Sequence, residues 1–514
     1  MTIITRYLIA LSMLLFATTV FAEVFCVDTA EEIQAALTTA ASNGQDDQVQ
    51  IVQGTYVGGF FYDASETQDL IIKGGFSTEC ATQRMDDNNT VVGSFSGRPL
   101  TFTTIEESLL SIEGLTIKGS SSYDHGGGIY ISAKSGSKIV ISNNWVHHNT
   151  SSLGGGGIAV VKASANEFGK NTEILIKNNY IDNNISGSQF DEYVGGGGLY
   201  INLPEASVNL ENNVLLNNKA NIVYRPSGIP RSSSPYGGGA FIWCDQIMLF
   251  GNLFSSNSAE IPSNTSSTGG AFYIRSNIAE IISNSIFENE SSSAPGGYLQ
   301  NFSEIADVSM LIENNEIFGN GSFATKSSSG GLTISINKIG PQEGLVILIN
   351  NSIVGNTGGV ALLIYGEKQL IEAALYNNLF FGNITAQNFA NDLMLSVGTE
   401  NEIATANLIL LSNNFNKTLG SGYWISIPFN IDPSNIDVLD PLFINLANGD
   451  LQLQNGSPMI DAGYHMTPDL PDFDITGSAR VIGDKVDIGA YEYDDDTRYN
   501  LTTSLQGNGF GRVT

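Results

Sequence analysis

An asparagine recurs along the chain at Asn144, Asn179, Asn213, Asn252, Asn284, Asn315, Asn351, Asn378 and Asn414, at spacings of 35, 34, 39, 32, 31, 36, 27 and 36 residues. Three positions before each anchor stands an aliphatic residue: Ile141, Ile176, Leu210, Leu249, Ile281, Ile312, Leu348, Leu375 and Leu411. Two positions after it the column reads Val146, Ile181, Leu215, Phe254, Ile286, Ile317, Ile353 and Phe380, broken at the ninth by Asn416. Five positions after the first eight anchors comes a second asparagine, from Asn149 and Asn184 through to Asn383. Gly-Gly ahead of an apolar run interleaves, as at Gly127-Gly128, Gly197-Gly198 and Gly330-Gly331.

Each period therefore holds three short strands, too few to bury a core alone. Stacked periods bury one jointly, with parallel strands about 4.8 Å apart and equivalent side chains in columns. The expected fold is all-β: a right-handed parallel β-helix, a solenoid with a short N-terminal capping helix and a C-terminal cap. The aliphatic columns should face inward. Asn should tolerate left-handed backbone at the bends and bond to its neighbour in the next coil, and Gly-Gly should mark places where a Cβ would clash. A leucine-rich horseshoe fits poorly, because the period varies and helical segments are missing.

Gly269-Gly-Ala-Phe272 and Phe254-Ser-Ser-Asn257 resemble the short repeats of polymorphic outer-membrane proteins, and residues 120–430 resemble the pectin-lyase-like β-helix superfamily. Farther on, Asp440-Pro-Leu-Phe443, Gly449-Asp-Leu-Gln-Leu453, Ser457-Pro-Met-Ile-Asp-Ala-Gly463, Arg480 and Asp487-Ile-Gly-Ala-Tyr-Glu492 are similar to the choice-of-anchor Q domain family. That resemblance implies an exported bacterial β-helix protein attached or released through its C-terminal part, and no particular chemistry.

The N-terminus agrees with export. Arg6, an apolar run from Tyr7 to Val20 and the small-residue site Val20-Phe21-Ala22 read as a signal peptide cleaved before Glu23. Later apolar runs are all interrupted, so no transmembrane segment is expected after cleavage. Thr29 and Glu32 form a capping box opening an amphipathic helix that presents Ile33 and Leu37. Cys26 and Cys80 bracket this block and, in an oxidising compartment, are expected to form a disulfide; Cys244 reads as a buried thiol. The organisation is residues 1–22 signal peptide, 23–119 N-terminal cap and first coils, 120–430 repeats, 431–493 C-terminal cap and 494–514 acidic and Gly-rich tail.

With 52 acidic and 22 basic residues the net charge is −30, which opposes nucleic acid as a partner and is compatible with Ca²⁺. No other cofactor is implied. Asp461, Asp474, Asp487 and Glu492 surround Arg480 in sequence and read as an Arg–carboxylate network ahead of a Ca²⁺ site. Adjacent strand residues face opposite ways, so His147 and His148 read as structural or surface residues ahead of a base or a metal site, as does His125. No metal ligands and no catalytic residues are assigned.

Insertions fall at one edge, after the second Asn and before Gly-Gly. They carry Tyr193, Tyr224, Arg225, Arg231 and Tyr236, residue types suited to sugar rings or a protein partner. The expectation is a secreted or cell-surface binding protein, an adhesin or glycan binder whose partner is a polysaccharide or a surface glycan or protein. The alternative is a polysaccharide lyase or glycoside hydrolase, which needs a polar cluster spanning two or three adjacent coils.

Overall fold

A computed structural model describes residues 23–495 apart from 85–88, 95–96, 167, 189–193, 223–233, 261–265, 302–305, 323–329, 339–343, 367–369, 385–391, 398–404, 417–430 and 468–469. The signal-peptide segment 1–22 lies outside the described residues. Among those described, no helix is long and apolar enough to cross a membrane.

The chain winds as a solenoid of parallel sheets. One coil starts at Lys138–Ser142 in the first sheet, turns at Asn144 into Trp145–His147 in the second, and turns again at Asn149. It then makes a two-residue contact at Thr150–Ser151, crosses the glycines and returns through Ile158–Lys162 in the third sheet. Among the described residues the first and second sheets have thirteen strands each and the third has eleven. A fourth ladder, of seven short strands among the described residues and of the Thr150–Ser151 kind, was not foreseen from the period.

The inward columns are those the repeat specifies. Ile141, Ile176, Leu210, Leu249, Ile281, Ile312, Leu348 and Leu375 follow one another in register and all are buried. The ninth coil is one residue out of the expected register: Leu410, not Leu411, pairs with Leu375. The ninth anchor is accordingly Asn413, and Phe415 is the buried residue two places on, so the apparent break at Asn416 vanishes. The column also extends backwards through Ile112, Ile72 and Val49 into the N-terminal block.

Each turn asparagine is buried and fully engaged. Asn179 Oδ1 accepts the backbone N–H and the Nδ2–H of Asn144 at 3.0 and 3.1 Å, while Asn179 Nδ2 donates back to Ile141 O at 2.8 Å. The pattern repeats through Asn213 and Asn252 to Asn413 and finally Asn435. A parallel ladder begins at Asn149 and runs through Asn184 to Asn383, where Asp392 accepts the last bond. The left-handed residue is the one before the ladder Asn, as at Asn143 (φ 56°) and Asn178 (φ 55°), so the two tasks are divided between neighbours. The glycine column has a separate cause. A Cβ on Gly127 would run into the carbonyl oxygen of Gly156, and one on Gly156 into that of Gly197.

At the N-terminal end, helix α1 (Ala30–Ala40) buries Ile33, Ala36, Leu37 and Ala40 against the first coils. Thr29 caps it, accepting from Glu32 N–H, while Glu32 reaches back to Asp28 N–H. A disulfide joins Cys26 to Cys80 across 5.8 Å between Cα atoms. The parallel stack continues through Ile436–Asp437, and the block after it lies along the flank of the solenoid. Its hairpin, Phe443–Asn445 with Asp450–Leu453, and Met459 and Ile488 pack on Val354 and Leu379 of the second sheet. Asn314, Asn350 and Asn377 donate side-chain hydrogen bonds to its backbone at Phe473, Asp487 and Tyr464. The second sheet is thus covered outside from about Asn314 onward.

Candidate functional site

The outer face of the third sheet carries a stack of aromatic rings. Strand alternation turns Leu199 and Ile201 inward and Tyr200 and Asn202 outward, and the register repeats this in the following coils. Tyr200, Phe241, Tyr273 and Tyr298 therefore align in four successive coils. Their ring centroids lie 5.0, 5.5 and 5.1 Å apart with planes 13°, 1° and 7° from parallel. In the coil before Tyr200 the position is Ala159, and the ring of His125 fills the gap, stacked 4.7 Å from Tyr200. His125 Nδ1 accepts the N–H of Gly154, which fixes its place in the stack.

A second outward row runs beside the rings: Asn202, Trp243, Arg275 and Gln300 are neighbours in register. The Arg275 guanidinium lies 4.3 Å over the Trp243 ring. The rows are joined by Asn202 Nδ2 donating to Tyr200 OH at 3.2 Å and by Tyr273 OH donating to Gln300 Oε1 at 3.1 Å. Near the start of the face, Arg98 lies 4.2 Å over Tyr130 and 3.8 Å from Asp124. Stacking covers ring faces, so Tyr200 and Phe241 are only 8 and 9 % exposed, whereas Tyr236, Trp243, Tyr273 and Tyr298 are half-buried. The face therefore shows solvent ring edges, hydroxyls and planar polar groups.

Tyr193, Tyr224, Arg225 and Arg231 lie outside the described residues. Tyr236 is described, and it joins the stack: its ring is 4.7 Å from Tyr273 and 6.5 Å from Phe241. Pro235–Tyr236 pairs in parallel with Val194–Gly195, so the insertion edge adjoins the aromatic face. Sequence reading passed over Tyr200, Phe241, Trp243, Tyr273, Arg275 and Tyr298. The available signal was the residue two after Gly128, Gly157, Gly198 and Gly239: Tyr130, Ala159, Tyr200 and Phe241. It slips at Gly269-Gly270, because Ala271 takes the place of Gly239 and Phe272 that of Ala240.

A second cluster lies on the uncovered part of the second sheet. His147 is flanked in register by Lys118 of one neighbouring coil and Asp182 of the other. Trp145 stacks on the His147 ring at 4.0 Å and donates Nε1–H to Asp182 Oδ1 at 2.6 Å. The expectation that His147 and His148 face opposite ways is corrected here. His148 occupies the left-handed turn (φ 53°), which swings its Nδ1 to 2.8 Å from that of His147. Burial, with His148 and Lys118 adding to it, pushes the His147 imidazole down to about 4. Burial raises the Asp182 carboxyl against its hydrogen bonds from Trp145 and Asn183.

The acidic residues of the C-terminal block are bound up in its fold. Arg480 is 1 % exposed, with Nε 3.8 Å from Glu492 Oε2 and Nη1 donating to Ala490 O at 3.1 Å. Asp487 accepts the N–H groups of Asp461 and Tyr493, each at 2.7 Å, and Asp474 accepts those of Thr476, Ser478 and Glu492. Burial pushes Asp487 up to about 6 and Glu492 up to about 8. Among the described residues, no group of three or more His, Cys, Asp or Glu is arranged to hold a metal ion. Cys244 is a buried free thiol that burial raises far above the usual range.

Comparison with known proteins returns no match: no family model, no curated protein and no solved structure aligns with the chain.

Proposed function

We propose that this chain is an exported, non-catalytic binding protein whose outer third-sheet face, from Tyr200 to Gln300, takes up a polysaccharide or a surface glycan. The observation that carries this reading is the aromatic stack, which occupies a few adjacent coils and adjoins the insertion edge at Tyr236. A parallel solenoid gives every coil the same backbone, so a feature restricted to neighbouring coils meets a demand other than folding. The chemistry suits an extended sugar chain: apolar ring edges for C–H groups, Tyr hydroxyls, and the amides of Asn202 and Gln300 for hydroxyl groups. Arg98 and Arg275 place two cations on this face of an acidic chain and favour a ligand bearing carboxylates or sulfates. Export through residues 1–22 and attachment or release through the C-terminal part rest on the signal-peptide pattern and on the resemblance to the choice-of-anchor Q family. The test is a glycan array with the mature protein, on which acidic polysaccharides should bind and a Trp243→Ala, Arg275→Ala double variant should not. Equal binding by that variant with an unchanged melt rejects this face.

A second reading has its own observation. Lys118, Trp145, His147 and Asp182 span three adjacent coils on one outer sheet, the arrangement a polysaccharide lyase or glycoside hydrolase needs. An unsaturated or newly reducing sugar product, lost in His147→Gln, would favour it over binding alone.

A further inference from the structure

The turn after the second sheet needs a left-handed residue in every coil. Most other coils supply Asn183 (φ 52°), Asn217 (φ 54°), Gly319 (φ 62°) or Gly355 (φ 62°), residue types that adopt this conformation readily, while Ser256 (φ 54°) and Glu288 (φ 55°) hold it as His148 does. Only one coil of this run puts a histidine there, His148, directly after another histidine that ends a strand. The strained position turns the two rings toward each other at 85° between planes, with their Nδ1 atoms 2.8 Å apart. The His147 ring cannot follow solvent: it is buried and held against Trp145 at 4.0 Å. His148 is exposed and can adjust by rotation.

Two imidazole nitrogens about 2.0 Å from one metal ion lie about 2.8 Å apart when the angle between them is a right angle, and about 3.3 Å apart when it is tetrahedral. The observed spacing is that of neighbouring corners of a square. We propose that His147 Nδ1 and His148 Nδ1 bind a divalent transition metal of tetragonal preference, Cu²⁺ ahead of Ni²⁺ and both ahead of Zn²⁺, with water or ligand oxygens at the remaining corners. In the metal-free protein the same spacing serves an N–H···N hydrogen bond. On binding, the donor ring moves its proton from Nδ1 to Nε2, and no proton need leave the protein. The immediate field is mixed. Asp182 flanks His147 in one neighbouring coil and Lys118 in the other, and Trp145 and Asn183 already hold the two Asp182 oxygens. The site thus has two protein ligands, and among the described residues His147 Nε2 has no hydrogen-bond acceptor to brace it. Both features place the affinity well below that of a fully built site.

The test uses the mature full-length protein in a non-coordinating buffer, with Cu²⁺, Ni²⁺ and Zn²⁺ as separate probes. Trp145 sits against the site, so its fluorescence should be quenched by Cu²⁺ and saturate at one equivalent. Electron paramagnetic resonance should show a tetragonal Cu²⁺ centre with hyperfine coupling to two nitrogens. His148→Asn places a residue that this turn accepts in other coils, so its melt should be unchanged while Cu²⁺ affinity falls by at least tenfold. His147→Gln should have the same effect on affinity. Overturning results are Cu²⁺ affinity unchanged in both variants, a single-nitrogen spectrum in the parent, or Zn²⁺ bound more tightly than Cu²⁺.

Discussion

Two ladders run along the stack, and they differ in extent. The inner one, built of asparagines, passes through every coil from Asn144 to Asn435 with the same N–H to Oδ1 bond, at 3.0 Å from Asn144, 3.1 Å from Asn351 and 2.9 Å from Asn413. The outer one, built of rings, spans Tyr200 to Tyr298, and continuing the register beyond Tyr298 gives Thr333 and then Ala361. Physical necessity explains the first. A turn that buries its backbone must satisfy it, and one amide side chain accepts a turn N–H of the preceding coil and donates to a strand carbonyl of that same coil. No such need explains the second, since Thr333 and Ala361 hold the same outward position without a ring. What every coil repeats maintains the fold, and what a few adjacent coils add is a candidate for function.

The contrast breaks most visibly from the inside. Replacing Ile176 by Asp sets a charge into the aliphatic column between Ile141 and Leu210 and should cost about 4 kcal/mol or more, read as a large loss in melting temperature. Asn252→Ala removes acceptor and donor together, taking away the Oδ1 partner of Asn213 N–H and one donor to Leu210 O. It should cost about 3 kcal/mol, measured by denaturant titration. A loss below about 1 kcal/mol would mean that the inner ladder is not what holds the turns.

The C-terminal block supplies a third, smaller effect with a sign fixed by titration. Burial holds Glu492 at about 8 and Asp487 at about 6, above their ordinary 4.5 and 3.8. Between the ordinary and raised values the folded block binds more protons than the unfolded one, so its stability falls as pH rises. The loss should begin near pH 4, continue through about pH 8, and level off above it. Amide exchange at Gly489 and Ala490, which bond to Asn377 and Ser352, should therefore quicken relative to exchange in the solenoid core across that range. Glu492→Gln should flatten the upper part of the profile, and an unchanged ratio from pH 5 to 8 would remove the buried carboxyls from the account.

Much of this was legible in the chain. The inward columns, the turns and the glycine contacts could be read because each coil repeats the same constraint, and errors in one coil are caught by the others. The reading failed where the repeat was interrupted. In the ninth coil the turn reads Ser412-Asn413-Asn414, and the anchor falls on the first of the two asparagines. The aromatic stack was hidden by a one-residue slip at Ala271, and the His147–His148 contact by treating a turn as strand. The lateral seat of the C-terminal block rests on side chains more than a hundred residues apart, such as Asn350 with Asp487, which no local pattern encodes.

On the outer ladder the expected stability effect is the smallest. Tyr273→Ala removes ring contacts on a half-solvated face and should cost about 1 kcal/mol, visible as a shift of a few degrees in the melt. The central claim is that the same residue matters far more for binding than for folding. Calorimetric titration of the mature protein with the strongest polysaccharide from an array, in parallel with Tyr273→Ala, tests it most directly. The account predicts at least a tenfold loss of affinity in a variant that still melts cooperatively. Affinity unchanged within error would contradict it and show the ring stack to be part of the scaffold.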